Sequence, residues 1–154
     1  MKKLFCSARK EWVAATPEEL VRQRLLHHLI HDLLFPREGI ALEKALSSMP
    51  HLSLSKEKMP DRRFDMACYA KGIHPEHSLY PLLIIECKAV KLTDVMMHQL
   101  IGYNYYAKAK FLTLVNQDEI RFQFYDSSLS SYKIVSFIPS YQQLLSFTNT
   151  NSIK

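Results

Sequence analysis

The stretch PLLIIECKAV, residues 81–90, constrains the fold of this chain more than any other. Residues 81–85 carry no polar side chain, which is typical of a central β-strand covered on both faces. Side chains two apart on a strand point to the same face, so Glu86 and Lys88 project together while Cys87 points the other way. These residues stand at the carboxyl end of the strand, where α/β sheets usually bind their ligands.

The length and composition fit one globular domain. With 154 residues, 47% of them hydrophobic, the chain can bury a core of ordinary size. The formal net charge of +5 mildly favours polyanions such as nucleic acid. Cys6, Cys68 and Cys87 are too widely spaced to suggest a disulfide framework or a Cys-x-x-Cys metal site, so a reducing cytosol fits best. We recognise neither a signal peptide nor a membrane span, and we expect a cytoplasmic protein.

The chain is predicted to form a single domain over residues 1–154. Residues 1–15 are expected to be a loosely attached N-terminal arm, residues 16–147 the folded core and residues 148–154 a flexible tail. No internal repeat and no linker rich in Gly or Ser divides the core.

Capping residues and hydrophobic periodicity predict the elements of the core. Thr16 can cap a helix whose first turn holds Pro17 and which ends before Pro36. The other predicted elements are helices over 94–109 and 140–147, and strands or extended segments over 39–46, 63–71, 81–88, 111–116, 119–126 and 132–137. This order of helices and strands indicates an α/β domain with a mixed sheet and helices on both faces.

A second acidic side chain is predicted to lie beside Glu86. Asp65 belongs to the strand over 63–71, and the connection over 71–80 is short enough for an antiparallel hairpin. Carboxylates bind hard divalent cations such as magnesium, which needs more than one carboxylate or substrate oxygen. The ammonium group of Lys88 would then orient a nucleophile or stabilise the charge of a phosphate. The alternative is a plain salt bridge at a strand end.

This pattern resembles the motif of the PD-(D/E)XK nuclease superfamily, which has an acid on one strand and then an acid, any residue and a lysine on the next. Asp65 and the tripeptide Glu86-Cys87-Lys88 stand at these positions. The literal Pro-Asp pair occurs earlier, at Asp61, but that residue lies ahead of the predicted strand, so Asp65 is preferred. The resemblance implies the restriction-endonuclease-like fold, a three-layer α/β/α arrangement with a central mixed sheet.

Further motifs narrow the resemblance from the superfamily to one family within it. Gln99 and Tyr103, four apart on one helix face, resemble the QxxxY motif of RecB-like nucleases. Over residues 15–126 the segments TPEELVRQRLLHHLI, RFDMACY, PLLIIECKA and QLIGYNYYAKAKFLTLVNQDEIRF together look like the N-terminal nuclease domain of type I restriction enzyme R subunits. That family has an acid three residues before a Val-Arg pair in its first helix. This position selects Glu18, and the adjacent Glu19 stays open as the alternative.

The resemblance implies a magnesium-dependent DNA endonuclease that hydrolyses phosphodiester bonds. Asp65 and Glu86, with Glu18 and the backbone carbonyl of Cys87, would bind Mg²⁺, for which Mn²⁺ is expected to substitute. Lys88 would position the attacking water or stabilise charge developing on the phosphate.

Four more residues are expected to contact DNA or to support the site, namely Gln99, Tyr103, Arg62 and Arg63. DNA is therefore the expected partner, together with other restriction-system subunits or a second copy of the chain, and no membrane. The alternative function is a non-cleaving nucleic-acid-binding or assembly module with the same fold.

Overall fold

The computed structural model describes residues 1–152 and contains a six-stranded β-sheet with a small hairpin at the N terminus. The hairpin pairs β1 (Lys3–Cys6) with β2 (Glu11–Ala14). The strands of the sheet, in spatial and sequence order, are β3 (Ile40–Ala45), β4 (Arg63–Lys71), β5 (Leu79–Cys87), β6 (Phe111–Val115), β7 (Ile120–Asp126) and β8 (Ser131–Val135). All six were predicted from the sequence, with ends close to those observed.

Helices cover both faces of the sheet. Those in the described part of the chain are α1 (Pro17–His31), α2 (Asp94–Ala107) and α3 (Tyr141–Ser152). Leu29 of α1 and Leu144 of α3 belong to one core cluster, whereas Met97 and Leu100 of α2 belong to the other. The predicted α/β/α arrangement with a mixed sheet is therefore confirmed. Over residues 1–152, no helix has the length and apolar character that crossing a bilayer requires.

Strand β5 is the covered central strand that its apolar run predicts. Leu83 and Ile85 face the layer of α1 and α3, Ile84 faces α2, and all three side chains are fully buried. β5 pairs antiparallel with β4 and parallel with β6, and the parallel connection passes through α2. The carboxyl end of β5 therefore lies between two strands and beneath helices from both layers.

The predicted capping residues begin the first two helices. The side-chain hydroxyl of Thr16 accepts a hydrogen bond of 3.1 Å from the backbone N–H of Glu19. The hydroxyl of Thr93 accepts one of 3.2 Å from the N–H of Met96. Each bond satisfies a donor that has no partner within the helix, and this fixes where the helix begins.

Helix α1 ends at His31, earlier than the apolar pattern predicts. Leu34 takes a left-handed conformation with φ of 60°, and the N–H of Phe35 donates to the carbonyl of Leu29 over 2.9 Å. This turn buries Phe35 and leaves Leu34 exposed. Burial of the Phe35 ring in the core stabilises this turn more than continuation of the helix would.

The expected N-terminal arm is a packed hairpin. Cys6 at the end of β1 is fully buried in the core cluster that α1 and α3 share. Arg9 in the turn forms an ion pair of 2.9 Å with Glu19 of α1. The expectation of loose attachment failed because isolated contacts, which leave no periodic pattern in the sequence, attach these residues to the core. Besides those of Cys6 and the Arg9–Glu19 pair, they include the packing of Ala8 and Val13 and a 3.5 Å ion pair between Arg9 and Glu43.

The expected flexible tail begins inside a helix. Helix α3 continues through Ser152, and Thr148 is buried with its hydroxyl donating to the carbonyl of Leu145 over 2.7 Å. Residues 153–154 lie outside the described residues.

The three cysteines are unpaired and buried in different parts of the fold. Cys6 lies in the hairpin, Cys68 in β4 and Cys87 at the end of β5. Burial raises the pKa of the Cys68 thiol to about 12 and also raises that of Cys87. Cys68 and Cys87 therefore stay protonated near neutral pH. All three buried cysteines act as small apolar side chains.

The packing of α1 can be tested with two leucines of the same helix. Leu29 is fully buried, whereas Leu20 is 47% exposed. Leu29→Ala is expected to lower the free energy of unfolding by about 3 kcal/mol because it leaves a cavity. Leu20→Ala is expected to change it by less than about 1 kcal/mol. Urea unfolding followed by circular dichroism measures both, and equal effects would contradict the assigned face of α1.

Candidate functional site

Asp65 and Glu86 meet at the carboxyl end of β5. The last paired residues of the two strands there are Met66 and Ile85. Beyond that pair, the Asp65 Oδ2 accepts a hydrogen bond of 2.7 Å from the N–H of Cys87, and the Glu86 Oε1 accepts one of 3.1 Å from the N–H of Asp65. Each carboxylate thus bonds the backbone of the other residue's strand, and the hairpin brings the two acids together as the sequence predicted.

Glu86 is the more buried of the two acids, with 5% of its surface exposed. Burial and, to a lesser extent, the nearby Asp65 carboxylate raise the pKa of its carboxyl to about 7, against the opposing charges of Arg62 and Lys88. A cation that binds between the Asp65 and Glu86 carboxylates would offset the cost of keeping both negative charges in a buried place.

Arg22 of α1 supplies one such positive charge. Its Nη2 lies 2.8 Å from Asp65 Oδ1 and 3.8 Å from Glu18 Oε1, and its Nη1 lies 2.7 Å from Glu19 Oε2 and 3.3 Å from Glu43 Oε1. The arginine is 5% exposed. A buried guanidinium is tolerated only when its charge is balanced, and here four carboxylates surround it.

The two acids in the first turn of α1 differ in their surroundings. Glu19 is buried, and its carboxylate accepts hydrogen bonds from Arg9 at 2.9 Å, Gln23 at 2.8 Å and Arg22 at 2.7 Å. Glu18 keeps 47% of its side chain exposed and approaches Arg22 at 3.8 Å. Glu18 is therefore the first-helix acid with oxygen atoms open to a further partner.

Arg62 holds the second acid from the opposite side. Its Nη2 lies 2.8 Å from Glu86 Oε2, and its guanidinium carbon lies 4.8 Å from the centre of the Tyr103 ring of α2. Tyr103 thus borders the site through Arg62. Within residues 1–152, Gln99 is exposed one turn earlier on α2 and contacts neither carboxylate, and Arg63 is exposed beside Arg62.

Lys88 directly follows the strand. Its N–H donates to the carbonyl of Val115 over 2.8 Å, which extends the pairing of β5 with β6 by one residue. The side chain is half-buried, and its positive charge lowers the pKa of the Glu86 carboxyl. The Cys87 side chain is buried in the core, which leaves only its backbone carbonyl for the site.

The donor atoms present are suited to a hard cation. Across residues 1–152, no three His, Cys, Asp or Glu side chains are grouped so that they could hold a metal ion by themselves. Two carboxylates, Asp65 and Glu86, together with the Cys87 carbonyl leave further positions for water or phosphate oxygens. Such a set fits magnesium, which keeps several waters and uses one or two carboxylates plus substrate phosphates.

The sheet, its two helical layers and the acids on adjacent strands define an α/β domain with a restriction-endonuclease-like fold. The family model for the type I restriction enzyme R protein N terminus (HSDR_N) matches residues 17–139. The chain therefore belongs to this family, as the sequence motifs had indicated. No curated protein and no solved structure matches the chain significantly.

Sequence reasoning missed the arginine of α1. Arg22 belongs to the Val-Arg pair that marks the position of Glu18, and its contact with Asp65 joins residues 43 apart in sequence. Its place within an apolar helix stripe, between Val21 and Leu25, was the available signal. A charged residue on a buried face needs a partner of opposite charge elsewhere in the fold.

The raised pKa of Glu86 predicts a dependence of stability on pH. A carboxyl whose pKa is higher in the folded protein binds more protons when folded, so the free energy of unfolding falls as the pH rises from 4.5 to about 7. The full loss is on the order of 3 kcal/mol. Glu86→Gln is expected to remove most of this fall, while the exposed Glu57→Gln is not. Urea unfolding at pH 5 and pH 8 measures the difference, and parallel curves for wild type and Glu86→Gln would contradict it.

Proposed function

We propose that this domain is a magnesium-dependent endonuclease that hydrolyses phosphodiester bonds in DNA. The observation that carries the proposal is the meeting of Asp65 and Glu86 at the carboxyl end of β5, where Lys88 follows Glu86 by two residues. Membership of the restriction R-protein family supports the same reaction class and makes DNA and restriction-system subunits the natural partners.

In this proposal Asp65, Glu86 and the Cys87 carbonyl, with Glu18 from α1, would hold Mg²⁺, and Mn²⁺ could replace it. The bound ion supplies Lewis acidity toward the phosphate and lowers the pKa of a coordinated water. The hydrogen bonds from the N–H groups of Cys87 and Asp65 fix one oxygen of each carboxylate. Preorganised ligands of this kind lose little conformational entropy when they bind.

The remaining residues act on the substrate. Lys88 directs the attacking water or stabilises negative charge on the phosphate. Arg62, paired with Glu86, and its exposed neighbour Arg63 contact the DNA backbone, and Tyr103 supports Arg62. Gln99 is exposed on α2, the helix that carries Tyr103, and contacts the DNA instead of the two carboxylates.

A non-cleaving nucleic-acid-binding or assembly module is the second candidate, and one observation favours it. Arg22 and Arg62 already balance the charge of Asp65 and Glu86 without any metal. Titration calorimetry with Mn²⁺ separates the two functions. If the domain is a nuclease, it binds Mn²⁺, and Asp65→Asn or Glu86→Gln abolishes this binding. If it is a non-cleaving module, it shows no Mn²⁺ binding that depends on these two residues.

Cleavage is expected to depend on Lys88. Lys88→Ala should lower the Mg²⁺-dependent nicking of supercoiled plasmid roughly a hundredfold or more, because charge on the phosphate loses its stabilising partner. The exposed Lys91→Ala, three residues further along, should cut like wild type. Circular dichroism checks that both variants fold. Identical cutting by wild type and Lys88→Ala would assign the activity to another site or to a contaminant.

Substitutions of the two acids in the first turn of α1 are expected to have different effects on metal binding and on stability. Glu18→Gln should weaken Mn²⁺ binding and nicking with little change in stability, because its side chain is largely exposed. Glu19→Gln should lower the free energy of unfolding by about 2 kcal/mol, because Arg9 and Arg22 lose a buried partner. Calorimetry and urea unfolding measure both. Unchanged metal affinity and nicking in Glu18→Gln would exclude its role in the site.

A further inference from the structure

The two arginines at the site differ in how firmly they are held. Arg22 is surrounded by four carboxylates and is 5% exposed. Among residues 1–152, Arg62 forms an ion pair with Glu86 only, and 32% of its side chain is exposed. Its other contact is the face of the Tyr103 ring, which constrains direction much less than a second ion pair does. Arg62 can therefore leave its carboxylate at far lower cost than Arg22.

We propose that Arg62 is an exchangeable counterion that couples the binding of metal to the binding of DNA. Without a divalent ion it occupies the Glu86 carboxylate, and when the ion binds there Arg62 transfers to a DNA phosphate. This inference rests on the proposed function and adds a mode of regulation to the same site.

Electrostatics makes the two states of Glu86 exclusive. The guanidinium lies 2.8 Å from Oε2, and the other oxygen, Oε1, is bonded to the N–H of Asp65. A divalent cation on this carboxylate would repel a guanidinium that remained at such a distance, since charges a few ångströms apart in a poorly solvated place interact strongly. Binding of the metal thus requires Arg62 to withdraw, whereas Arg22, equally close to Asp65, stays because Glu18, Glu19 and Glu43 also balance its charge.

The released guanidinium is suited to a phosphate. Its planar set of donors matches two phosphate oxygens, and its side chain is 32% exposed, so a phosphate can reach it. The Tyr103 ring can hold the side chain while its tip changes partner. A DNA phosphate therefore stabilises the state in which Glu86 is free, and metal and DNA raise each other's affinity by the same factor.

The first experiment titrates Mn²⁺ into the protein without DNA and measures affinity by calorimetry. Arg62→Gln should bind Mn²⁺ roughly fivefold more tightly than wild type because a competing cation has been removed. Arg62→Lys, which keeps the charge, should stay closer to wild type. The matched control is the exposed neighbour Arg63→Gln, which loses the same charge but not the contact with Glu86. Its affinity should change little.

The second experiment measures coupling by fluorescence anisotropy of a short labelled DNA duplex, with and without Mn²⁺. Every protein carries Lys88→Ala so that the duplex stays intact. In the Arg62-containing protein Mn²⁺ should raise the affinity for the duplex several-fold, and Arg62→Gln should reduce this ratio toward one. Arg63→Gln should lower the affinity by a similar factor with and without Mn²⁺ and leave the ratio unchanged.

The outcomes are distinct. Tighter Mn²⁺ binding and reduced coupling in Arg62→Gln, with Arg63→Gln unchanged in both, support the exchange. A Mn²⁺ affinity of Arg62→Gln that is equal to or weaker than that of wild type overturns the exchange. An equal gain in Arg63→Gln also overturns it, because it would indicate a general charge effect.

If no protein shows Mn²⁺ uptake that Glu86→Gln abolishes, the metal site itself is absent, and the proposed function fails together with the exchange. Circular dichroism of Arg62→Gln and Arg62→Lys excludes misfolding as the cause.

Discussion

Two hydrogen bonds exchanged between neighbouring strands hold the functional end of the sheet together. The N–H of Cys87 donates to Asp65 and the N–H of Asp65 donates to Glu86, in place of the backbone pairing that stops one residue earlier. Strand pairing and the position of the acids are therefore one constraint. Because β5 is covered on both faces, its register cannot slip without moving apolar side chains to the wrong layer, and the acids are fixed with it.

Burying two carboxylates side by side is unfavourable unless positive charge accompanies them. The fold meets this need with one arginine from each side, Arg22 from α1 and Arg62 from the segment before β4. The first is part of a buried network that reaches Arg9 of the N-terminal hairpin through Glu19. The second lies at the rim. One set of ionic contacts thus maintains the structure of the site, and another is placed where a ligand can compete with it.

Much of this arrangement follows from local sequence. The apolar run before Glu86 predicts a covered strand, Thr16 and Thr93 mark helix starts, and the short connection after Asp65 predicts the hairpin that joins the acids. Contacts between distant segments carried no such signal. The partner of Arg22 depends on how α1 crosses the sheet, and the hairpin of residues 1–15 is attached by isolated contacts that leave no periodic pattern. Charge balance in a core is settled by tertiary packing, which one sequence does not display.

The burial of all three cysteines gives the protein internal reporters of local opening. Alkylating reagents need an accessible thiolate, and all three cysteines are buried in the folded state. The raised pKa values of Cys68 and Cys87 also disfavour their thiolate forms. The modification rate of each thiol therefore records how often its own region exposes it, without any engineered label. Cys6 reports on the N-terminal hairpin, Cys68 on the interior of the sheet and Cys87 on the strand end that carries the acids.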